Sequence, residues 1–433
     1  MEEVRRLVNS ADLRTALASS PQRGNREKGD VSPVVELRGV TVRGLTAAEY
    51  PQLLALLPRV MGAPREYFAA MYRNDPAAKP EHSRVVLLNG EIVSHIRLYD
   101  RWQYVGGVPV HVGCVGDVCT VPEHRLKGYC RTLLEDAMGY WEEQEYDLSM
   151  VVSGVEVYQR CGWVTYPETR YTVPARDAPP EDGPYQVRRF VRADELKEAR
   201  LVYEEYHAHR SLATVRSEEY WERHFYWIAG EREDAFFVAE RKGQVMAYIR
   251  HEHRGDELLI SEFCYARGEE EAVPGLLAAS LRFAYRRGYL AVTATLPDDH
   301  PAVPLLQREP ECQVEQTHVL LFRLVNLRRL LGRLTRLFAD RLRAASLPAG
   351  TLTLGCEGQA VTLDWDEERV VLRDPQKRPL TLSPADFFRL LFGQASGREL
   401  RLTNRYTFLS TQVALLEALF PKGHPIYWRT DVV

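Results

Sequence analysis

The chain has 433 residues, a formal net charge of −4, and 27% charged against 45% hydrophobic residues, a globular balance long enough for several domains. That charge excludes a general nucleic-acid binder, which needs a basic excess, and no apolar run reaches the roughly 18 to 20 residues that span a bilayer. Met1-Glu-Glu-Val-Arg-Arg lacks the layout of a secretion signal, and seven cysteines without a Cys-x-x-Cys pair argue against disulfides or zinc, so a cytoplasmic protein without structural metal is expected.

Residues 1–34 read as a weakly ordered extension. A strand is expected from Val35 to Val42 and an apolar helix from Thr46 to Leu57. Arg84 to Tyr99 reads as two strands about the Asn89-Gly90 turn. Val115, Val118 and Val121 then give a strand that Pro122 ends, and Leu133, Leu134, Ala137, Met138 and Trp141 recur at helical spacing. The turn between them aims the first N–H groups of the helix at one point, which favours a phosphate oxygen. Gly128 lets the main chain approach a ligand, and Arg125, Lys127 and Arg131 add positive charge. A solvated strand-to-helix connection would show the same residues. A second strand follows at Leu148–Val152, then Ser153-Gly154, and Thr165 to Pro174 is expected to close the unit as a strand.

Strand, basic glycine turn, helix, strand, small-residue splay and Tyr158-x-x-x-Gly162-Trp163 together resemble the acetyl-CoA-binding core of the GNAT acetyltransferases. In that family the turn reads Arg/Gln-x-x-Gly-x-Gly/Ala; here it reads Arg125-Leu126-Lys127-Gly128-Tyr129-Cys130, with Cys in the last small position. The resemblance implies that main-chain groups of Val118, Cys119 and Thr120 pair with the pantetheine arm. It further implies that Arg125 through Arg131 hold the pyrophosphate, that Ser153 and Gly154 flank the arm, and that Tyr158 protonates the departing thiolate. A phenol, with a pKa near 10, is protonated at neutral pH. A core aromatic with a satisfied hydroxyl is the other reading of Tyr158.

Residues 175–184 have linker composition, and the pattern before them then repeats. Val187–Phe190 reads as a strand, Asp194–His207 as a helix, Ala235–Arg250 as a hairpin, Leu258–Cys264 as a strand, Val273–Arg287 as a helix and Leu290–Leu296 as a strand. Leu305 to Pro310 lines up with Val157 to Gly162. The second copy carries Gly268-Glu269-Glu270-Glu271 in its turn, which would repel a pyrophosphate, and Leu306 in place of Tyr158. It reads as structural.

After Leu321 comes a stripe of Leu327, Leu330, Leu331, Leu334, Leu337 and Phe338 ringed by arginines, which covers a sheet or lies on a membrane or acidic partner. Period-two alternation follows at Gly350–Gly355, Gln359–Trp365 and Arg369–Arg373, and Ser383-Pro384 starts an apolar helix that runs to Gly393. This segment resembles a sterol-carrier-protein-like domain. Two GNAT-like units followed by that domain is the layout of the Eis-type N-acetyltransferases. The expected fold class is therefore α/β (α+β): tandem mixed-sheet GNAT-like units at 35–176 and 185–324, then a sterol-carrier-protein-like unit at 325–433.

The resemblance implies acetyl-CoA as co-substrate, a primary amine of a small molecule or peptide as acceptor, direct transfer in a ternary complex and homo-oligomeric assembly. It also implies the terminal carboxylate, here of Val433, as base, with Asp431 as a substitute. Asp117 either meets the amine or is a strand-end residue satisfied by backbone. His111, His124, His251 and His253 lack metal-ligand spacing and read as surface or hairpin residues, and Cys114, Cys119 and Cys130 as small buried hydrophobes. The rival functions are a non-catalytic acyl-CoA-responsive binder and a lipid carrier, with Trp365, Phe387, Phe388 and Phe392 lining a cavity or filling a core.

Overall fold

The structure, a computed structural model, describes residues 40–180, 183–224, 233–375, 377–403 and 405–431; the 1–34 extension and Val433 lie outside the described residues. The first unit runs β1 (Val40–Gly44), α1 (Tyr50–Met61), α2 (Arg65–Asn74), β2 (Ser83–Leu88), β3 (Glu91–Val105), β4 (Val108–Thr120), α3 (Tyr129–Glu143), β5 (Leu148–Val152), α4 (Val157–Arg160) and β6 (Val164–Pro174). Asn89 and Gly90 both take positive φ, 52° and 87°, the geometry a two-residue hairpin demands of its turn. Helices α1 and α3 lay Leu53, Leu57, Leu133, Leu134 and Trp141 on a core that also holds Val115 and Val151.

The second unit repeats that order: β7 (Gln186–Arg189), α5 (Arg192–His207), α6 (Glu218–His224), β8 (Phe237–Arg241), β9 (Gln244–Arg254), β10 (Glu257–Tyr265), α7 (Val273–Arg286), β11 (Ala291–Thr295), α8 (Ala302–Arg308) and β12 (Gln313–Leu324). The two units do not close separately. They share a 12-stranded sheet in the order β1-β2-β3-β4-β5-β12-β6-β11-β10-β9-β8-β7. Strand β6, expected to close its own unit, pairs instead with β11 and β12, while β12 fills the place beside β5. The exchange works because β12 serves the first unit's cores: Leu320, Phe322 and Leu324 point into one, and Leu321 into the other.

The remainder comprises α9 (Leu327–Arg333), α10 (Thr335–Ala344), β13 (Gly350–Cys356), β14 (Gln359–Trp365), β15 (Val370–Arg373), β16 (Leu380–Thr381), α11 (Pro384–Leu391), α12 (Gly397–Leu402) and α13 (Ser410–Leu419). Its sheet order is β15-β14-β13-β16. The Ser383 side chain accepts from the Asp386 N–H and caps α11, with Pro384 in the first turn. Leu327, Leu330, Leu331, Leu334 and Phe338 are buried against the face of the large sheet. Several arginines around this stripe are tied to protein: Arg333 to Asp147 at 2.5 Å, Arg329 to the Tyr146 carbonyl at 2.5 Å and Arg341 to the Leu419 carbonyl at 2.6 Å. The stripe therefore seals an internal interface. Among the described residues no helix is long and apolar enough to cross a membrane.

Candidate active site

Parallel pairing of β4 with β5 runs from Val112 and Leu148 to Val115 and Val151 and stops there, although β4 continues to Thr120. Just beyond that point the β3–β4 register passes from Arg97–Gly116 to His95–Cys119, so Asp117 and Val118 stand opposite the single residue Ile96. Asp117 takes φ 46° to do so. Such a bulge bends its strand, and here it opens a V whose sides are Val118–Thr120 and Ser153–Gly154. The Cys119 side chain faces the core, and the Thr120 carbonyl accepts from Arg125 Nε at 3.3 Å. On the other side the Ser153 N–H is bonded to the Val319 carbonyl of β12 at 2.7 Å, and its hydroxyl accepts from the Val155 N–H at 3.1 Å.

At the end of β4 the chain passes through Leu126, at φ 64° and fully exposed, to Gly128, at φ 85°, which is the N-cap of α3. The Thr132 N–H bonds the Gly128 carbonyl at 3.0 Å, so the N–H groups of Tyr129, Cys130 and Arg131 precede the helical ladder. Arg125, Lys127 and Arg131 are exposed around them, with Lys127 Nζ 3.1 Å from His124 Nδ1. Tyr129 is buried and fixes this helix start to the core.

Tyr158, on α4, is buried edge-to-face against Trp163 with ring centroids 6.4 Å apart. Its hydroxyl makes no hydrogen bond among the described residues. Burial, with Cys130 and Cys161 nearby, pushes its phenol well above the ordinary value. It is thus a protonated donor throughout the neutral range.

The opposite mouth of the V is lined by charge. Asp117 accepts from the Tyr99 hydroxyl at 3.1 Å and lies 3.9 Å from Arg97; burial nevertheless pushes its carboxyl up. Arg97 stacks on Tyr72 and Tyr99 and pairs with Asp75 at 3.0 Å, as Arg101 does at 3.1 Å. Tyr67 of α2 is within electrostatic reach of Asp117, Glu252, Arg97 and Arg429. Arg429 stands 3.4 Å from Glu252 of β9. Glu168 of β6, half-buried, is within electrostatic reach of Arg429, and desolvation pushes its carboxyl up to about 7 against the pull of that arginine. Sequence reasoning misses Glu168, Glu252 and Arg429 because the strand exchange brings two of them here. One signal was available: Pro167 inside a strand pattern marks an irregularity, and the β6–β12 register breaks there.

Asp431 is not free to act as a base. Arg216 holds it at 2.8 and 2.9 Å, Tyr220 donates to it at 2.8 Å, and it is fully buried. Val433 lies outside the described residues. His251 is a core residue rather than a surface one, 2.5 Å from the Ala235 carbonyl and lowered to about 4 by burial. His111 stacks on Tyr146 and bonds Asp100 at 2.7 Å. Trp365, Phe387, Phe388 and Phe392 fill one shared core.

Residues 41–165 match the family model of the acetyltransferase (GNAT) domain. No curated protein matches the chain. Among solved structures, a probable N-acyltransferase of unknown function from Enterococcus faecalis is 17% identical, with TM-score 0.71 over 91% of this chain and 100% of that one. A GCN5-related N-acetyltransferase from Anabaena variabilis is 15% identical with TM-score 0.68, and Eis1 from Mycobacterium abscessus is 16% identical with TM-score 0.63, each over 91% of this chain and 100% of the other. At these identities the likeness is one of fold. The turn, the V and Tyr158 fall within the stretch, residues 41–165, that matches the acetyltransferase (GNAT) domain model.

Proposed function

We propose that the protein is an N-acetyltransferase that uses acetyl-CoA as co-substrate and acetylates a primary amine of a small molecule or peptide by direct transfer. The observation that carries this reading is the coincidence, in one matched domain, of an opened β4–β5 V, an uncapped basic helix start at Gly128 and a buried, unbonded Tyr158 hydroxyl. The N–H groups of Tyr129, Cys130 and Arg131, with the side chains of Arg125, Lys127 and Arg131, suit a pyrophosphate. Main-chain groups of Val118, Cys119 and Thr120 suit a pantetheine arm laid along β4, with Ser153 and Gly154 beside it. Acetyl-CoA supplies the activated acetyl group; Tyr158 gives the departing sulfur its proton.

Direct transfer is favoured over a cysteinyl intermediate because the nearby thiols are poor nucleophiles. Burial pushes Cys114 and Cys119 up to about 12 and Cys130 up to about 11.

Calorimetric titration with acetyl-CoA, followed by turnover assays on Tyr158→Phe, tests this. One site per chain is expected. The variant should keep its affinity and lose about 10²- to 10⁴-fold in kcat. Acetyl-CoA binding with no turnover on any amine would instead identify a non-catalytic binder.

A further inference from the structure

An alkylamine has a pKa near 10.4, so it reaches the V as an ammonium and must lose a proton before its nitrogen can attack. On the premise that the protein is an acetyltransferase, we propose that Glu168 is the carboxylate that takes this proton. The strand exchange places it. The Val319 carbonyl of β12 accepts from the Ser153 N–H at the edge of the V, and Val319 and His318 stand opposite Pro167 where β6–β12 pairing breaks. Glu168 is the next residue of β6, about two strand spacings or ~10 Å from the Ser153 main chain, a gap that a glutamate side chain and an amine nitrogen fill.

Its orientation and its lack of partners are separate observations. Tyr166, two residues earlier and so on the same face of β6, packs with Phe322 and Phe392 beneath the C-terminal unit, which turns Glu168 away from the core of α3. The other carboxylates here are engaged: Asp117 by Tyr99 and Arg97, Glu252 by Arg429, Asp431 by Arg216. The Glu168 carboxylate makes no hydrogen bond or ion pair among the described residues. Glu168 is only partly buried, and a carboxylate whose oxygens no neighbour ties down is open to a partner that arrives from outside.

The electrostatics suit the task. From the C-terminal turn, Arg429 faces Glu168, with Glu252 of β9 behind that arginine; Tyr166 on its own strand and Tyr67 of α2 are neutral phenols, and Thr317 of β12 is uncharged. A carboxyl raised to about 7 is still ionised at pH 8 and is a stronger base than an ordinary glutamate. The protons balance. One ammonium proton passes to Glu168 and on to solvent, the nitrogen bonds to the thioester carbonyl carbon, the C–S bond breaks, and sulfur takes the Tyr158 proton. The second nitrogen proton restores the phenol.

The test is the pH dependence of acetyl transfer from acetyl-CoA to spermidine, phenethylamine and a lysine-containing peptide by the full chain, with Glu168→Gln and Glu168→Asp beside it. The Gln variant should bind acetyl-CoA with a Kd within threefold of the parent, lose at least 100-fold in kcat, and lose the inflection near pH 7. The Asp variant should keep an inflection displaced toward acid. A Gln variant that keeps both rate and inflection overturns the assignment and returns the proton to another group, such as the Val433 carboxylate. A Gln variant that no longer binds acetyl-CoA shows Glu168 to be structural and overturns it too. A parent protein that acetylates none of the amines defeats the acetyltransferase reading itself, and this inference with it.

Discussion

Asp117 in the first unit and Glu262 in the second stand at equivalent places. Each sits at a bulge in the strand that parts from its parallel neighbour, and each faces a buried arginine of the adjacent strand, Arg97 at 3.9 Å and Arg250 at 3.6 Å. What surrounds them differs. Glu262 accepts from Arg216 at 2.5 and 3.2 Å, from Tyr248 at 2.5 Å and from Thr430 at 2.5 Å, and Arg216 also grips Asp431, so side chains fill the space where an acceptor would sit. The turns diverge in the same way. Glu269 accepts from the Tyr185 hydroxyl at 2.7 Å and from Arg241, and a 3₁₀ turn at Glu270–Ala272 occupies the approach to α7, whereas Gly128 leaves the start of α3 open. Leu306 is sealed in the core where Tyr158 keeps an unbonded hydroxyl. On the proposed reading, one fold serves as a site where its polar sockets stay unfilled and as a brace where its own chain fills them.

The largest effect that could sharpen this contrast is at Arg216. Replacing it with Met strands Glu262 and Asp431 without their shared cation in a fully buried place, and breaking a buried pair in this way costs about 3–5 kcal/mol. Urea denaturation should report that loss, with acetyl-CoA still binding at one site. The pH dependence has a definite sign. Burial alone would push the Glu262 carboxyl up, but Arg216 and Arg250 draw it well below its ordinary 4.5. The stability it contributes is therefore present above pH 4.5 and lost as pH falls toward the depressed folded value. Arg216→Met should flatten that acid dependence. A second acetyl-CoA site appearing in the variant would mean that the second unit is a masked site, not a brace.

The two turn glycines give a paired test of intermediate size. Gly128 and Gly268 have φ of 85° and 79°, and a Cβ on either meets nothing within 4 Å. Alanine at each should cost a similar ~1–2 kcal/mol for left-handed backbone. Only Gly128→Ala should weaken acetyl-CoA, by at least tenfold, because the proposed site brings a ligand to the main chain only there. Equal affinities in the two variants would remove the turn from the binding site.

Local features were legible in the sequence. The Asn89-Gly90 turn, the Ser383 cap, the Gly128 helix start and the repeated element order each depend on a few adjacent residues, whose conformational preferences act at short range. The exchange of β6 and β12 was not legible, since Val164–Pro174 and Gln313–Leu324 are both extended segments that could close either unit, and pairing partners far apart in the chain leave no local trace. Glu168 was hidden for that reason, as was the Arg216 lock, which joins residues 46 and 215 positions apart. The bulge at Asp117 was hidden for another: a β-bulge has no compulsory residue, and Val-Gly-Asp-Val reads as continuous strand.

The smallest effect concerns Cys130, which occupies the second position of α3. Two influences on its thiol oppose each other. The helix N-terminus favours a thiolate, while burial beside Cys161 disfavours it, and burial prevails at about 11. At pH 7.5 the group is thus a protonated, half-buried filler, and Cys130→Ala should change the Kd for acetyl-CoA less than threefold and stability by under ~1 kcal/mol. Iodoacetamide should alkylate it slowly in the folded protein, with no acetyl adduct on the intact chain by mass spectrometry after acetyl-CoA is added. An acetyl-Cys130 adduct that decays when amine is supplied would replace direct transfer by a covalent route, and would make the thiol, which has no counterpart at Glu269 to Glu271 in the second unit, the true point of divergence between the two halves.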